Sequence, residues 1–205
     1  MKKFNQKLNI EIFLIPIIFV VLMWGVKLYE LVYDISFISY GVLPKEITGL
    51  KGILFSPFIH KDISHLINNT YPIILLGGTL FFFYKKIAPQ IFFWLFFTAG
   101  LWLWAIGRPS LHIGASGVIY ALASFIFVSG LIRKNPKLSA VSLIVVFLYG
   151  SLFWGILPMG AEVSWEGHLS GFLAGILIAI YYRKEGPSDK KYDWEIEEEL
   201  DENIP

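Results

Sequence analysis

The sequence predicts an all-α membrane protein, a six-transmembrane-helix bundle with both termini cytoplasmic. Of 205 residues, 56% are hydrophobic and only 16% are charged, against roughly 25% charged in soluble domains. The charges are clustered, which leaves long uncharged stretches between them. Lysine and arginine gather at alternate ends of those stretches, the bias expected of cytoplasmic loops.

The uncharged stretches are Ile12–Val26, Ile63–Tyr84, Ile87–Gly107, Pro109–Ile132, Leu138–Ala161 and Gly167–Tyr182. A helix needs about 20 apolar residues to cross a hydrocarbon core of roughly 30 Å, and the middle four reach that length. The first must extend through Lys27 toward Tyr33, which puts Lys27 and Glu30 near the interface or against other helices. The last relies on snorkelling by Arg183 and Lys184. Lys2, Lys3 and Lys7 precede the first stretch, but no small-residue cleavage pattern follows it, so it is expected to be an uncleaved span. Long stretches without period-two alternation argue for helices over barrel strands.

One side of the membrane receives Lys2, Lys3, Lys7, Lys85, Lys86, Arg133, Lys134, Lys137, Arg183, Lys184, Lys190 and Lys191, and is therefore cytoplasmic. The loop between the fifth and sixth spans carries Glu162 and Glu166 and no base. Residues 34–62 make a long external segment in which Ile47–Phe58 is too apolar for a free loop and too short to span. It is expected to form short helices lying in the interface. Residues 184–205 are acidic and read as a mobile cytoplasmic tail, which leaves residues 1–183 as one six-span domain. The home expected for such a multi-pass protein is a bacterial cell (inner) membrane.

The absence of cysteine excludes disulfides, thiolate metal sites and cysteine nucleophiles. The four histidines lack metal-ligand company, so neither a metal nor an organic cofactor is expected. The expected partners are the lipid bilayer and transmembrane protein substrates, with no nucleic acid.

Polar groups inside spans are costly to bury and carry the most weight. His65 and Asn69 lie one helical turn apart at the start of span two. Gly114-Ala115-Ser116-Gly117 opens span four, and Gly167-His168 opens span six. Counted down to the cytoplasmic charges at about 1.5 Å per residue, His168, Asn69, Ser116 and His65 stand about 22 to 30 Å above that floor. Three spans thus bring polar side chains to one level in the outer half of the membrane.

A serine hydroxyl becomes a competent nucleophile when a base takes its proton, so Ser116 and His168 are the candidate pair. No carboxylate lies deep in these spans to complete a triad, and a Ser–His dyad is expected. Tyr120, one turn beyond Ser116, is placed to wall the imidazole. His65, the Asn69 amide and the Ser116 backbone N–H are candidate donors to an oxyanion. Gly114 and Gly117 allow close approach around Ser116. Gly167, Gly171 and Gly175 form the small-xxx-small pattern that draws helices together. His112 is expected in a loop near the mouth of the cavity.

This arrangement resembles the rhomboid intramembrane serine proteases. Their six-span core shows His-x-x-x-Asn in span two, Gly-x-Ser-Gly in span four, and His followed by spaced glycines in span six. Here HLINN runs from His65 to Asn69, GASGVIYAL starts at Gly114 and GHLSGFLAG at Gly167. The resemblance extends from the first span to Tyr182. It implies a rhomboid-like bundle that cleaves transmembrane substrates near the external face. It also implies a structural role for His60, which falls at the upstream histidine of HxxxxHxxxN. The Trp-Arg pair that many members carry in the first external loop is absent; the corresponding region lies near Lys51-Gly52. The alternatives are a catalytically inactive rhomboid-like protein that binds membrane clients and a small transporter or channel. The presence of both Ser116 and His168 disfavours the first, and the lack of deep acidic residues disfavours the second.

Overall fold

The computed structural model describes residues 10–134, 136–148, 157 and 164–187. The N-terminal lysines, Glu162, Lys190, Lys191 and the acidic tail beyond residue 187 lie outside them. A 3-10 turn (Ile10–Phe13) leads into α1 (Leu14–Tyr33). The segment between α1 and α3 holds α2 (Lys51–Phe55) between 3-10 turns at Ile47–Gly49 and Ser56–Phe58. There follow α3 (Ile63–Tyr84), α4 (Ala88–Ile106), α5 (Ser116–Ile132), α6 (Pro136–Leu148) and α7 (Trp165–Tyr181). Among the described residues the only β pairing is an isolated bridge between Val42 and His112.

Helix α3 has the bounds of its uncharged stretch, and Asp62 starts it by accepting the His65 N–H at 2.7 Å, an N-cap that satisfies one orphan donor. The fourth stretch is longer than its helix, which begins at Ser116, within the Gly114–Gly117 motif expected to open it. Pro109 lacks a backbone donor, and Gly114 sits at φ +104°, so residues 107–115 form an irregular loop. Glu166 departs from expectation. It lies in the first turn of α7 and is buried, not in a solvated loop.

Helix α5 is the centre of the bundle. Its residues from Val118 to Ile126 are buried without interruption, as expected of an apolar helix surrounded by others, and it packs against α3, α4, α6 and α7. Helix α1 is peripheral and turns Leu14, Ile17, Val21, Leu28 and Val32 outward, an apolar face suited to hydrocarbon.

Lys27 and Glu30 occupy the inner face of α1. The Lys27 ammonium donates to Glu30 Oε2 at 3.1 Å and to the carbonyls of His60 and Lys61 at 3.0 and 3.1 Å. Glu30 Oε1 accepts the Phe37 N–H at 2.7 Å. Both charges are buried yet multiply hydrogen-bonded, the condition under which buried ions are tolerated, and together they tie α1 to both ends of the external segment.

That segment is woven into the loop before α5. Val42 and His112 exchange backbone hydrogen bonds at 2.9 Å each way, Lys45 N–H reaches Trp104 O at 2.9 Å, and Gly114 N–H reaches Ser56 O at 2.9 Å. The Trp104 indole donates to Glu46 O at 2.8 Å. At the opposite end, the Arg133 guanidinium donates to the carbonyls of Tyr182, Arg183 and Pro187, satisfying acceptors beyond the C-terminus of α7.

The α5–α7 pair is the most extensive helix contact, and glycine sets its closeness. A Cβ on Gly171 would collide with the Gly117 carbonyl, and one on Gly175 with the Ser124 hydroxyl and the Ala121 carbonyl. Gly171→Ala and Gly175→Ala should therefore each destabilise the protein by about 1–3 kcal/mol, the range for overpacking. Gly25→Ala, mid-helix and with nothing within 4 Å of its Cβ, should leave stability unchanged or raise it by up to about 1 kcal/mol through helix propensity. Thermal unfolding in detergent checks the contrast; equal effects at Gly25 and Gly171 would remove the packing argument.

Candidate active site

Ser116 is the first residue of α5, directly after the Gly114 turn. Its backbone N–H is one of the first-turn donors that lack an intrahelical acceptor. His168 lies in the first turn of α7, whose cap is Ser164, accepting the Gly167 N–H at 3.3 Å. The glycine seam between these helices sets their approach, and His168 Nε2 comes within 2.8 Å of Ser116 Oγ. In the neutral tautomer with its proton on Nδ1, His168 is placed to accept the serine proton through Nε2.

Tyr120 stacks on the His168 ring at 4.3 Å between centroids and 15° between planes. That contact restricts the tilt of the imidazole, the wall expected one turn beyond Ser116. Glu166 follows a different course from a triad acid. Two residues from His168, it is rotated by about 200° around the helix, and its Oε1 lies 3.4 Å from Arg108 Nε.

His65 and Asn69 share one face of α3, as their spacing requires. Asn69 is buried, and its amide donates to the His65 carbonyl at 2.7 Å, which engages one of its two amide hydrogens. The His65 ring lies against Gly114, where a Cβ would fall 2.8 Å from Cε1. Gly114 is thus required twice, by its positive φ and by the imidazole beside it. The His65 ring is thereby held against a residue two positions before Ser116.

A cleft with about 30 Å³ of space for water opens beside Ser116; Ile53, His112, Gly114, Gly117, Ser164 and Gly167 are among its walls. That volume suits one or two water molecules. His112 is at this cleft, as expected, but is buried rather than loose in the loop. Ser164, Arg108 and Glu166 were not anticipated as neighbours of the pair. For Ser164, the available signal was a serine directly preceding an apolar helix, the N-cap pattern.

Among the described residues, no group of three His, Asp or Glu side chains is placed to hold a metal. His60 is buried, and its ring lies 5.0 Å from that of His65. Neither His60 ring nitrogen meets hydrogen-bond geometry with a described residue, although the Phe58 backbone nearby slightly favours the charged form. Burial, reinforced by the His65 ring, lowers His60 from 6.5 to about 3.

The Rhomboid domain family model matches residues 48–185, the stretch that contains every residue of this site. The uncharacterized protein Rv1337 of Mycobacterium tuberculosis is 34% identical over 172 residues, covering 78% of this chain and 71% of its own length. A protein of the same description from Mycobacterium bovis, Mb1372, matches equally well, at 34% over 172 residues. The uncharacterized protein ML1171 of Mycobacterium leprae is 31% identical over 177 residues, covering 78% of this chain and 67% of its own.

The depressed pKa of His60 has a signed consequence. Between pH 6.5 and about 3 the unfolded chain binds a proton at this residue that the folded protein refuses, so stability falls as pH drops through that window. His60→Phe, which keeps a ring and removes the titration, should flatten that loss. Melting temperature measured from pH 7.5 to 4.5 for both proteins checks it; parallel curves would show that His60 contributes nothing to the acid sensitivity.

Proposed function

The chain belongs to the rhomboid family, and from that premise we propose that it is an intramembrane serine endopeptidase working through a Ser116–His168 dyad. The observation that carries this reading is the 2.8 Å contact between Ser116 Oγ and His168 Nε2, made between two different helices. Around it are the stacked Tyr120 ring, candidate oxyanion donors and a cleft of a size suited to water.

In the proposed reaction His168 Nε2 takes the Ser116 proton as Oγ bonds to the scissile carbonyl carbon. His65, the Asn69 amide and the Ser116 N–H stabilise the oxyanion. The C–N bond then breaks, with the proton on His168 passing to the leaving amine, and an ester to Ser116 remains. Water attacks that ester as His168 accepts its proton. The carboxylate product departs and the serine regains its hydrogen. Preorganised donors in a low-dielectric site are worth more than in water.

The proposed setting is a bacterial cell membrane crossed six times with both termini cytoplasmic, and the substrates are transmembrane proteins cut near the external face. The clustering of basic residues supports this orientation, and the exposed apolar side chains of α1 support direct contact with lipid. Helices α5 and α7, at 17 residues each, measure about 26 Å. That is slightly less than a typical hydrocarbon core, which supports polar N-termini lying below the external surface.

Purified protein in detergent should take up a fluorophosphonate probe at Ser116 and cleave a single-span test substrate near its external end. Ser116→Ala and His168→Ala should each abolish cleavage while retaining the helical circular dichroism of the wild type. Asn69→Ala should lower the rate by less than either, on the order of 10²-fold, since other donors remain. Cleavage at the wild-type rate by Ser116→Ala would reject the dyad. Wild-type protein that binds the substrate without cutting it or labelling would instead favour the inactive client-binding role.

A further inference from the structure

A second hydrogen bond runs parallel to the Ser116–His168 contact. His112 Nδ1 lies 2.6 Å from Ser164 Oγ. His112 precedes Ser116 by four residues, and Ser164 precedes His168 by four, so the two contacts share a sequence separation of 52 residues. The proton assignments of this bond can be worked out from its neighbours. His112 Nε2 lies 3.1 Å from the Arg108 carbonyl, which can only accept, and 3.3 Å from Ser110 Oγ, a hydroxyl able to accept as well as donate, so a hydrogen on Nε2 suits both neighbours. His112 Nδ1 is then an acceptor, and Ser164 Oγ–H donates to it. The same Ser164 oxygen accepts the Gly167 N–H as the cap of α7. Burial holds the His112 imidazole below its ordinary range, in keeping with the neutral form. The charged groups facing it are Arg108 and Glu166, themselves joined across the same gap at 3.4 Å.

His112 itself is well anchored. It is buried, its backbone exchanges two hydrogen bonds with Val42, and its loop is joined to Ser56 through Gly114. Ser164, by contrast, defines the start of the helix that presents His168. We infer that His112 and Ser164 act as a positioning pair, fastening the start of α7 to the loop before α5 and thereby setting the distance from His168 to Ser116. This inference rests on the dyad reading above. Neither residue takes part in the chemistry; both act through the geometry of His168, where misplacement by about 1 Å can lower rates on the order of 10²-fold.

The two ring nitrogens make the inference testable by paired substitutions. His112→Asn keeps an acceptor near the Nδ1 position, whereas His112→Gln keeps only a donor near Nε2. Ser164→Thr keeps the hydroxyl and Ser164→Ala removes it. His112→Gln and Ser164→Ala should lower kcat by roughly ten- to hundredfold with KM nearly unchanged. His112→Asn and Ser164→Thr should recover most of the rate. The double variant His112→Gln/Ser164→Ala should be no slower than the slower single, because both remove one interaction. Additive losses, equal losses in His112→Asn and His112→Gln, or a change confined to KM would overturn the positioning role. So would a loss of kcat that merely follows a fall in melting temperature across all four variants.

Nitrogen-15 NMR of the histidines supplies a readout independent of turnover. His112 should show a protonated Nε2 and an accepting Nδ1, and the His168 ring signals should move in Ser164→Ala but not in Ser164→Thr. Unmoved His168 signals reject the positioning pair. A wild-type protein that shows these shifts yet neither labels nor cleaves rejects the protease reading instead.

Discussion

The close approach of α5 and α7 is the constraint on which the rest of the site depends. With Gly171 against the Gly117 carbonyl and Gly175 against Ser124 and Ala121, the two backbones meet where side chains would normally hold them apart. Apolar attraction between helices is weak in lipid, so such pairs rely on close van der Waals contact. The catalytic candidates lie where this seam begins, at the N-terminal ends of both helices. A serine on one helix and a histidine on the other come within hydrogen-bond distance because little but glycine stands between their backbones.

Proximity of two helices leaves their register and rotation open, and the external layer supplies both. The Val42–His112 bridge and the Ser56–Gly114 hydrogen bond tie the loop before Ser116 to the segment after α1. The buried Lys27–Glu30 pair ties that segment to α1 at two places, through Phe37 at one end and His60 and Lys61 at the other. A charged pair at this depth would be unfavourable if left bare; here backbone groups satisfy it. The site is thus fastened from above by polar contacts and held together within the bundle by packing, with the Tyr120 ring limiting the remaining freedom of His168.

Much of this is legible in the sequence because membrane helices obey few rules. The bounds of α3 could be read from Asp62 and Lys85 alone, since a charge seldom enters hydrocarbon. The shared face of Ser116 and Tyr120 could be anticipated because helical spacing fixes which residues lie one turn apart. Charge alone did not locate the start of α5: the uncharged stretch begins at Pro109, whereas the glycine motif from Gly114 marks where the helix opens, at Ser116. Glu166 was misplaced for a related reason: an acidic residue beside a span reads as solvated until a partner is known, and Arg108 is 58 residues away in the chain.

The sequence by itself determined what acts locally or through periodicity: helix bounds, the apolar outward face of α1, the shared face of His65 and Asn69, and the small residues that let α5 and α7 touch. Only the tertiary structure decided which distant polar groups meet. The capture of the His60 and Lys61 carbonyls by Lys27, the Ser164 bond to His112 and the Glu166 contact with Arg108 each join residues on separate elements. Their partners are chosen by how rigid helices and loops settle against one another in three dimensions, and hydropathy along a single chain carries no record of that choice.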